Sequence, residues 1–201
     1  MIDYFALLNE PRRPLLDSDF LKKKFLALSA ECHPDRVHGA NESEKESAQK
    51  RYTELNTAYN CLRDDKSRLV HLLELERGSK PKDVQTVPPA LMELFLRVRE
   101  VGQHTDIFLA ERRGVSSPLL KVQMFERAQE MIEPLSKMQQ QINEWHEGLI
   151  ARLKEIDSAW DGAGAGNREK VLHKIEELYP LFSYFNRWSG QIQERIVQLS
   201  F

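Results

Sequence analysis

Apolar residues recur along this chain at spacings of three and four almost from end to end, the repeat of a helix with one buried face. Val/Ile/Thr-rich alternation between turn residues is lacking, so the predicted fold class is all-α. A first short helix is expected over residues 3–9, stopped at Glu10-Pro11 because a proline disfavours the helical conformation of its predecessor. Asp17-Ser18-Asp19 supplies a cap for a second helix that runs to Cys32 with the stripe Leu21, Phe25, Leu28 and Cys32, and Pro34 ends it. Beyond Gly39 and Asn41 a third helix carries Ala48, Tyr52, Leu55, Tyr59 and Leu62. The two stripes match in spacing, which predicts an antiparallel hairpin with an exposed tip. A fourth helix over residues 64–77 buries Leu69, Leu72 and Leu73 and stops at Gly78.

Three prolines in residues 79–89 mark a linker between an amino-terminal domain, residues 1–78, and a helical domain, residues 90–201. The second domain reads as a three-helix bundle. Its first helix covers residues 89–113 and its second residues 117–156, on the seam Met131, Leu135, Met138, Ile142, Trp145, Leu149, Leu153 and Ile156. Pro134 is expected to kink or split that helix. Residues 161–166 are expected to form a Gly-rich turn, and the last helix to extend from residue 168 towards residue 199, interrupted or kinked near Pro180.

Composition narrows the function. A net charge of −2 supplies no field to draw the protein to nucleic acid. No stretch approaches the roughly 20 apolar residues needed to span a bilayer, and the amino terminus lacks the basic and apolar regions of a signal peptide. Two cysteines make no disulfide framework and suit a reducing compartment, so a cytoplasmic location is expected.

The candidate chemistry sits at the tip of the hairpin, in His33-Pro34-Asp35-Arg36. The proline stiffens the tip, while an imidazole and a carboxylate offer charge-assisted hydrogen bonds to a partner. At 100° per residue, Lys22, Leu26, Ser29 and His33 fall between roughly 80° and 140° from Leu21, one exposed strip leading to the tip, with Lys23 opposite the core. A zinc site of Cys32, His33, His38 and Cys61 fits poorly, because Cys32 lies on a core stripe and no Cys-x-x-Cys pair exists. Nor does a His-Asp pair with no nucleophile or glutamate partner point to catalysis. No metal, cofactor or enzymatic activity is expected.

His33-Pro34-Asp35 between two facing amphipathic helices resembles the signature of the J domain, and the resemblance covers roughly residues 3–77. It implies a co-chaperone that docks on a DnaK-type ATPase chaperone and speeds its ATP hydrolysis, through His33, Pro34, Asp35, Arg36, Lys22 and Lys23. The family favours basic residues nearer the tripeptide, where this chain has Leu26 and Ala27. A Gly/Phe-rich segment, a Cys-x-x-Cys-x-Gly-x-Gly repeat and a β-rich client domain are all lacking.

The whole chain is similar to the HscB family of iron–sulfur cluster assembly co-chaperones. Asp3-Tyr4-Phe5, Leu72-Leu73-Glu74-Leu75, Leu91-Met92-Glu93, Arg99-Glu100 and Trp160-Asp161 carry the likeness. It implies that an HscA-type chaperone is the partner and that an iron–sulfur scaffold protein binds Leu91, Met92, Phe95, Leu96 and Arg99, with Leu181 on the last helix. The family's two acidic positions on that face are Leu96 and Arg99 here. Angular reading alone sets Leu91, Leu94, Phe95, Val98 and Gly102 on the core side and swings Met92 and Leu96 about 100° to 140° away. A J protein with another client, and a J-like interaction module without co-chaperone activity, are the competing readings.

Overall fold

The computed structural model describes residues 1–33, 36, 39, 41–81, 87–161 and 165–201. Its α-helices are α1 (Tyr4–Leu7), α2 (Ser18–Glu31), α3 (Glu42–Arg63), α4 (Asp65–Arg77), α5 (Met92–Arg113), α6 (Pro118–Trp160) and α7 (Ala165–Ser200), with a 3-10 turn at Pro89–Leu91. The described residues include no strand, so the all-α expectation holds.

Local chemistry starts and stops these helices. The Asp17 carboxylate caps α2 by accepting from the Asp19 and Phe20 amides. Asn41 and Glu44 form a reciprocal capping box at the start of α3, which holds that helix immediately after the hairpin tip. Gly78, at φ 71°, closes α4 by donating its amide to Glu74 O.

The chain divides into two compact units, Met1–Lys82 with Ala151–Pro180, and Asp83–Ile150 with Leu181–Phe201. Thus α6 and α7 each contribute one part to either unit. The expected linker at residues 79–89 lies partly outside the described residues.

In the first unit α3 is the centre, contacted by α1, α2 and α4. Phe5, Leu8, Leu21, Leu55, Leu62, Leu69 and Leu72 are buried there. The segment 151–180 adds Leu153, Ile156, Trp160, Leu172 and Ile175 to the buried set. Polar groups knit it to the amino-terminal helices. Trp160 Nε1 donates to Arg12 O at 2.7 Å, and the Arg168 guanidinium lies over the Trp160 ring, 3.1 Å from its centroid. Arg168 Nε also donates to Glu76, while Arg77 pairs with Glu169 at 2.6 Å and with Glu176.

The second unit is a three-helix arrangement of α5, α6 to Ile150 and α7 from Leu181. Leu94, Val98, Phe108, Leu135, Met138, Ile142, Phe182, Phe185, Trp188 and Ile192 are buried in it. Of the two outcomes expected at Pro134 and Pro180, a kink or a break, the break does not occur, since α6 and α7 run through them. A mid-helix proline costs about 3 kcal/mol, and buried side chains on both sides, Ala128, Leu135 and Met138 in α6 and Leu178, Tyr179 and Phe182 in α7, offset it. Trp145 is not in the seam but 47% exposed, its ring lying beside Phe185 at 6.2 Å. It sits at the edge of the stripe, so rotation places one face of the indole in solvent.

The smallest helix depends on a titratable contact. Asp3 caps α1 through the Phe5 and Ala6 amides and pairs with Arg12 at 2.7 Å. Burial alone pushes the Asp3 carboxyl up, but the Ala6 and Arg12 hydrogen bonds outweigh it and hold the group below the usual aspartate range. His71, buried in α4, accepts the Tyr4 amide on Nε2 at 3.1 Å and stacks on the Tyr4 ring at 4.4 Å. An accepting Nε2 requires the neutral ring with its proton on Nδ1.

Burial lowers the His71 pKa, and the neighbouring Asp3 and Glu74 carboxylates only partly counter it, with Arg12 acting in the same direction as burial. The unfolded chain therefore binds the proton more readily than the fold. This contribution is complete above the unfolded value of 6.5 and is lost as pH falls through it towards the depressed folded value. Urea midpoints should drop between about pH 7.5 and about pH 5.5, and a His71→Gln variant should show a smaller drop. Equal pH slopes for the two proteins would contradict this account.

Candidate chaperone and partner surfaces

Ring contacts set the register of the hairpin. Phe25 of α2 stacks on Tyr59 of α3 with centroids 4.3 Å apart, and about two turns nearer the tip His33 meets Tyr52 edge-on at 5.5 Å. Rising numbers on α2 thus pair with falling numbers on α3, the predicted antiparallel arrangement. His33 follows α2 directly, half-buried against Tyr52, and its carbonyl accepts the Arg36 amide at 2.9 Å. Arg36 is exposed. Pro34 and Asp35 lie outside the described residues.

On the outer side of α2, Lys22 and Lys23 are exposed, and the Lys23 ammonium sits 5.5 Å from the Phe20 ring centroid. Leu26 is 54% exposed, one turn beyond Lys22 on the way to His33. Lys24, on the other flank, is committed elsewhere: it pairs with Glu10 at 2.8 Å and donates to Asn9 O at 2.7 Å. The predicted strip needs one correction. Ser29 is buried and donates its hydroxyl to Phe25 O at 2.6 Å, while Ala30 is exposed instead. A small hydroxyl that satisfies itself on the preceding turn can be turned inward at little cost. Tyr52 was assigned only to the core stripe. The signal for its contact with His33 is an aromatic residue at the middle of the α3 stripe, two turns before the Tyr59 that meets Phe25.

The cysteines add no reactive centre. Burial pushes the Cys61 thiol up to about 11, with Asp64 adding to the shift, and its Sγ lies 3.5 Å from Ser67 O. Among the described residues no group of three or more His, Cys, Asp or Glu side chains is placed to hold a metal. No described helix is long and apolar enough to cross a membrane.

In the second unit the residues of the expected scaffold face separate into two sets. Leu91 is 2% exposed, on the core side where helical rotation sets it. It ends the 3-10 turn, whose tighter winding leads into α5 with the side chain inward. Phe95 is half-buried, tilted against Trp188 of α7 at 6.3 Å. Met92 and Leu96 are 42% and 53% exposed, and Arg99 is exposed one turn further on. Leu181 is half-buried at the start of the α7 part of this unit.

Residues 3–71 match the family model of the DnaJ domain. A co-chaperone protein HscB homolog of Azoarcus sp. is 36% identical over 178 residues, which span 88% of this chain and 89% of that protein. The chain belongs to the HscB co-chaperone family. The fold is shared with chaperone HscB from Vibrio cholerae, with a TM-score of 0.66 at 17% identity over 98% of this chain and 99% of the other. It is also shared with human co-chaperone protein HscB, with a TM-score of 0.59 at 19% identity over 98% and 81% of the respective chains. As a J-domain member of the HscB family, the protein is a co-chaperone and not an enzyme, and its family implies an Hsp70-type chaperone as partner.

Proposed function

We propose that this HscB-family protein stimulates ATP hydrolysis by a DnaK/HscA-type chaperone and delivers an iron–sulfur cluster scaffold protein to it. The observation that carries the first half is the continuity of the exposed Lys22 and Leu26 with His33, seated on Tyr52 where the hairpin turns, and Arg36 just beyond. Lys22, Lys23 and Arg36 supply positive charge for steering towards an acidic surface. His33 and Asp35 act as hydrogen-bonding groups on a turn stiffened by Pro34.

The second half is supported by the apolar pair Met92 and Leu96, exposed on α5. A scaffold held there and a chaperone engaged by the hairpin share one chain, so the scaffold reaches the chaperone at an effective concentration on the order of millimolar. Any cluster travels on the scaffold; this chain's own part is to bind and to position.

Single-turnover ATPase measurements with the chaperone of the same organism test the hairpin. The parent protein should accelerate hydrolysis, and His33→Gln should return the rate to within about twofold of the chaperone alone, as expected when a charge-assisted contact is lost. Equal stimulation by both proteins would remove the proposed role of the tip. Affinity capture from the same organism should recover the scaffold protein; recovery of unrelated clients only would remove the delivery role.

A further inference from the structure

Some charged side chains on these helices are matched at a spacing of three or four, as in Lys45 with Glu42 and Lys137 with Glu133. Arg99 is different. The residues within helical reach of it are Phe95, Leu96, Gly102 and Gln103, none of them acidic. Arg99 makes no ion pair or hydrogen bond among the described residues, although it is exposed. The nearby Arg195 of α7 is already engaged with Asp106 at 2.7 Å. Arg187 repeats the pattern on α7. It adjoins Trp188, whose ring meets Phe95, it is exposed, and its neighbours at three and four residues are Ser183, Tyr184, Gly190 and Gln191.

An unmatched cation beside two exposed apolar side chains is a patch with a definite complement. Met92, Leu96 and Arg99 fall within about 60° of one another by helical rotation, on the side of α5 away from its buried Leu94 and Val98. Methionine and leucine lose unfavourable hydration when covered by apolar groups. The guanidinium, once water is excluded around it, needs a carboxylate and presents a planar fork for two hydrogen bonds.

We infer that this strip selects a protein surface whose apolar centre is bordered by at least one carboxylate, so that the scaffold accepted by this chain is acidic where it meets α5. The inference rests on the reading of α5 as the scaffold-docking face and adds the chemistry of the partner. A basic border on the partner would meet Arg99 as a like charge and be rejected.

Titration calorimetry of the full-length protein with the cluster-free scaffold protein of the same organism provides the test. Arg99→Glu should weaken binding by about tenfold or more at low salt, and Arg99→Gln by less, because a like charge repels whereas a neutral amide only fails to attract. The Arg99→Glu penalty should shrink as salt rises, since screening acts within about 10 Å at 0.1 M. Leu96→Ala should weaken binding to a similar degree at all salt concentrations. Arg113→Glu, the same charge change at the far end of α5, should leave affinity within about twofold, which separates the local contact from net charge. Circular dichroism melts confirm that each variant is folded. Unaltered or tighter binding by folded Arg99→Glu, with the parent binding, would overturn this inference and leave scaffold docking intact. No binding by the parent would overturn both.

Discussion

Asp157→Ala is expected to destabilise the protein by about 2–3 kcal/mol, the cost of leaving a half-buried guanidinium and a backbone amide without their acceptor. Asp157 is buried near the end of α6, and its carboxylate accepts from Arg13 Nε at 3.1 Å, from a second Arg13 nitrogen, and from the Leu15 amide at 3.0 Å. All three donors belong to the segment that leads into α2. Alanine leaves the Leu15 amide without its acceptor and the Arg13 guanidinium with only the more distant Asp161, at 3.4 Å. The Asp157 hydrogen bond raises the Arg13 pKa, and without it the guanidinium still stays charged, because arginine does not lose its proton in proteins. Asp157→Asn should recover part of the loss, because an amide oxygen still accepts a hydrogen bond but carries no charge. Urea unfolding of the two variants and the parent measures this; a loss below about 1 kcal/mol for alanine would show that the carboxylate contributes little.

The second large effect is expected at Arg68. This side chain is buried in α4 and donates to Pro14 O and Leu62 O, each at 2.8 Å, and to the Asp65 carboxylate. Three acceptors from three different stretches of chain converge on one planar donor group, a geometry that arginine satisfies and lysine does not. Arg68→Met keeps the aliphatic stem but leaves two buried carbonyls unpaired, which should cost about 3 kcal/mol or more. Adding Asp65→Asn to that variant should return some of the loss, since it removes the unmatched charge. A double-mutant cycle under urea checks the coupling, and strictly additive losses would show that the two groups act independently.

These two residues show where reading a sequence stops. The α2–α3 hairpin was legible because both stripes repeat at helical spacing, Asp17 and Asn41 are favourable caps, and Pro34 cannot continue a helix. The tripeptide at its tip was legible for the same reason, its meaning depending on the helices to either side. Helical rotation was a poorer guide to how deeply a side chain is buried. It set Ser29 on the outside and Trp145 in the seam, and the structure reverses both, whereas Leu91 stays on the core side where rotation set it. Rotation gives the direction of a side chain relative to its own helix, but burial depends on what stands opposite. The continuity of α6 through Pro134 has the same origin, because the cost of a missing hydrogen bond is local whereas the burial that offsets it comes from other helices.

Sequence alone determined the all-helical class, the helix start at Asp17 and stop at Gly78, and the presence of His33-Pro34-Asp35 between two amphipathic helices, since these follow from residues within a few turns of one another. Tertiary structure alone decided that residues 151–180 fold with the first 82, that Arg13 finds Asp157, and that Trp160 finds the carbonyl of Arg12. Those partners stand more than 140 residues apart, and no periodicity connects them. Each becomes favourable only once the intervening helices have brought the two groups together out of water, where an unpaired polar group costs most.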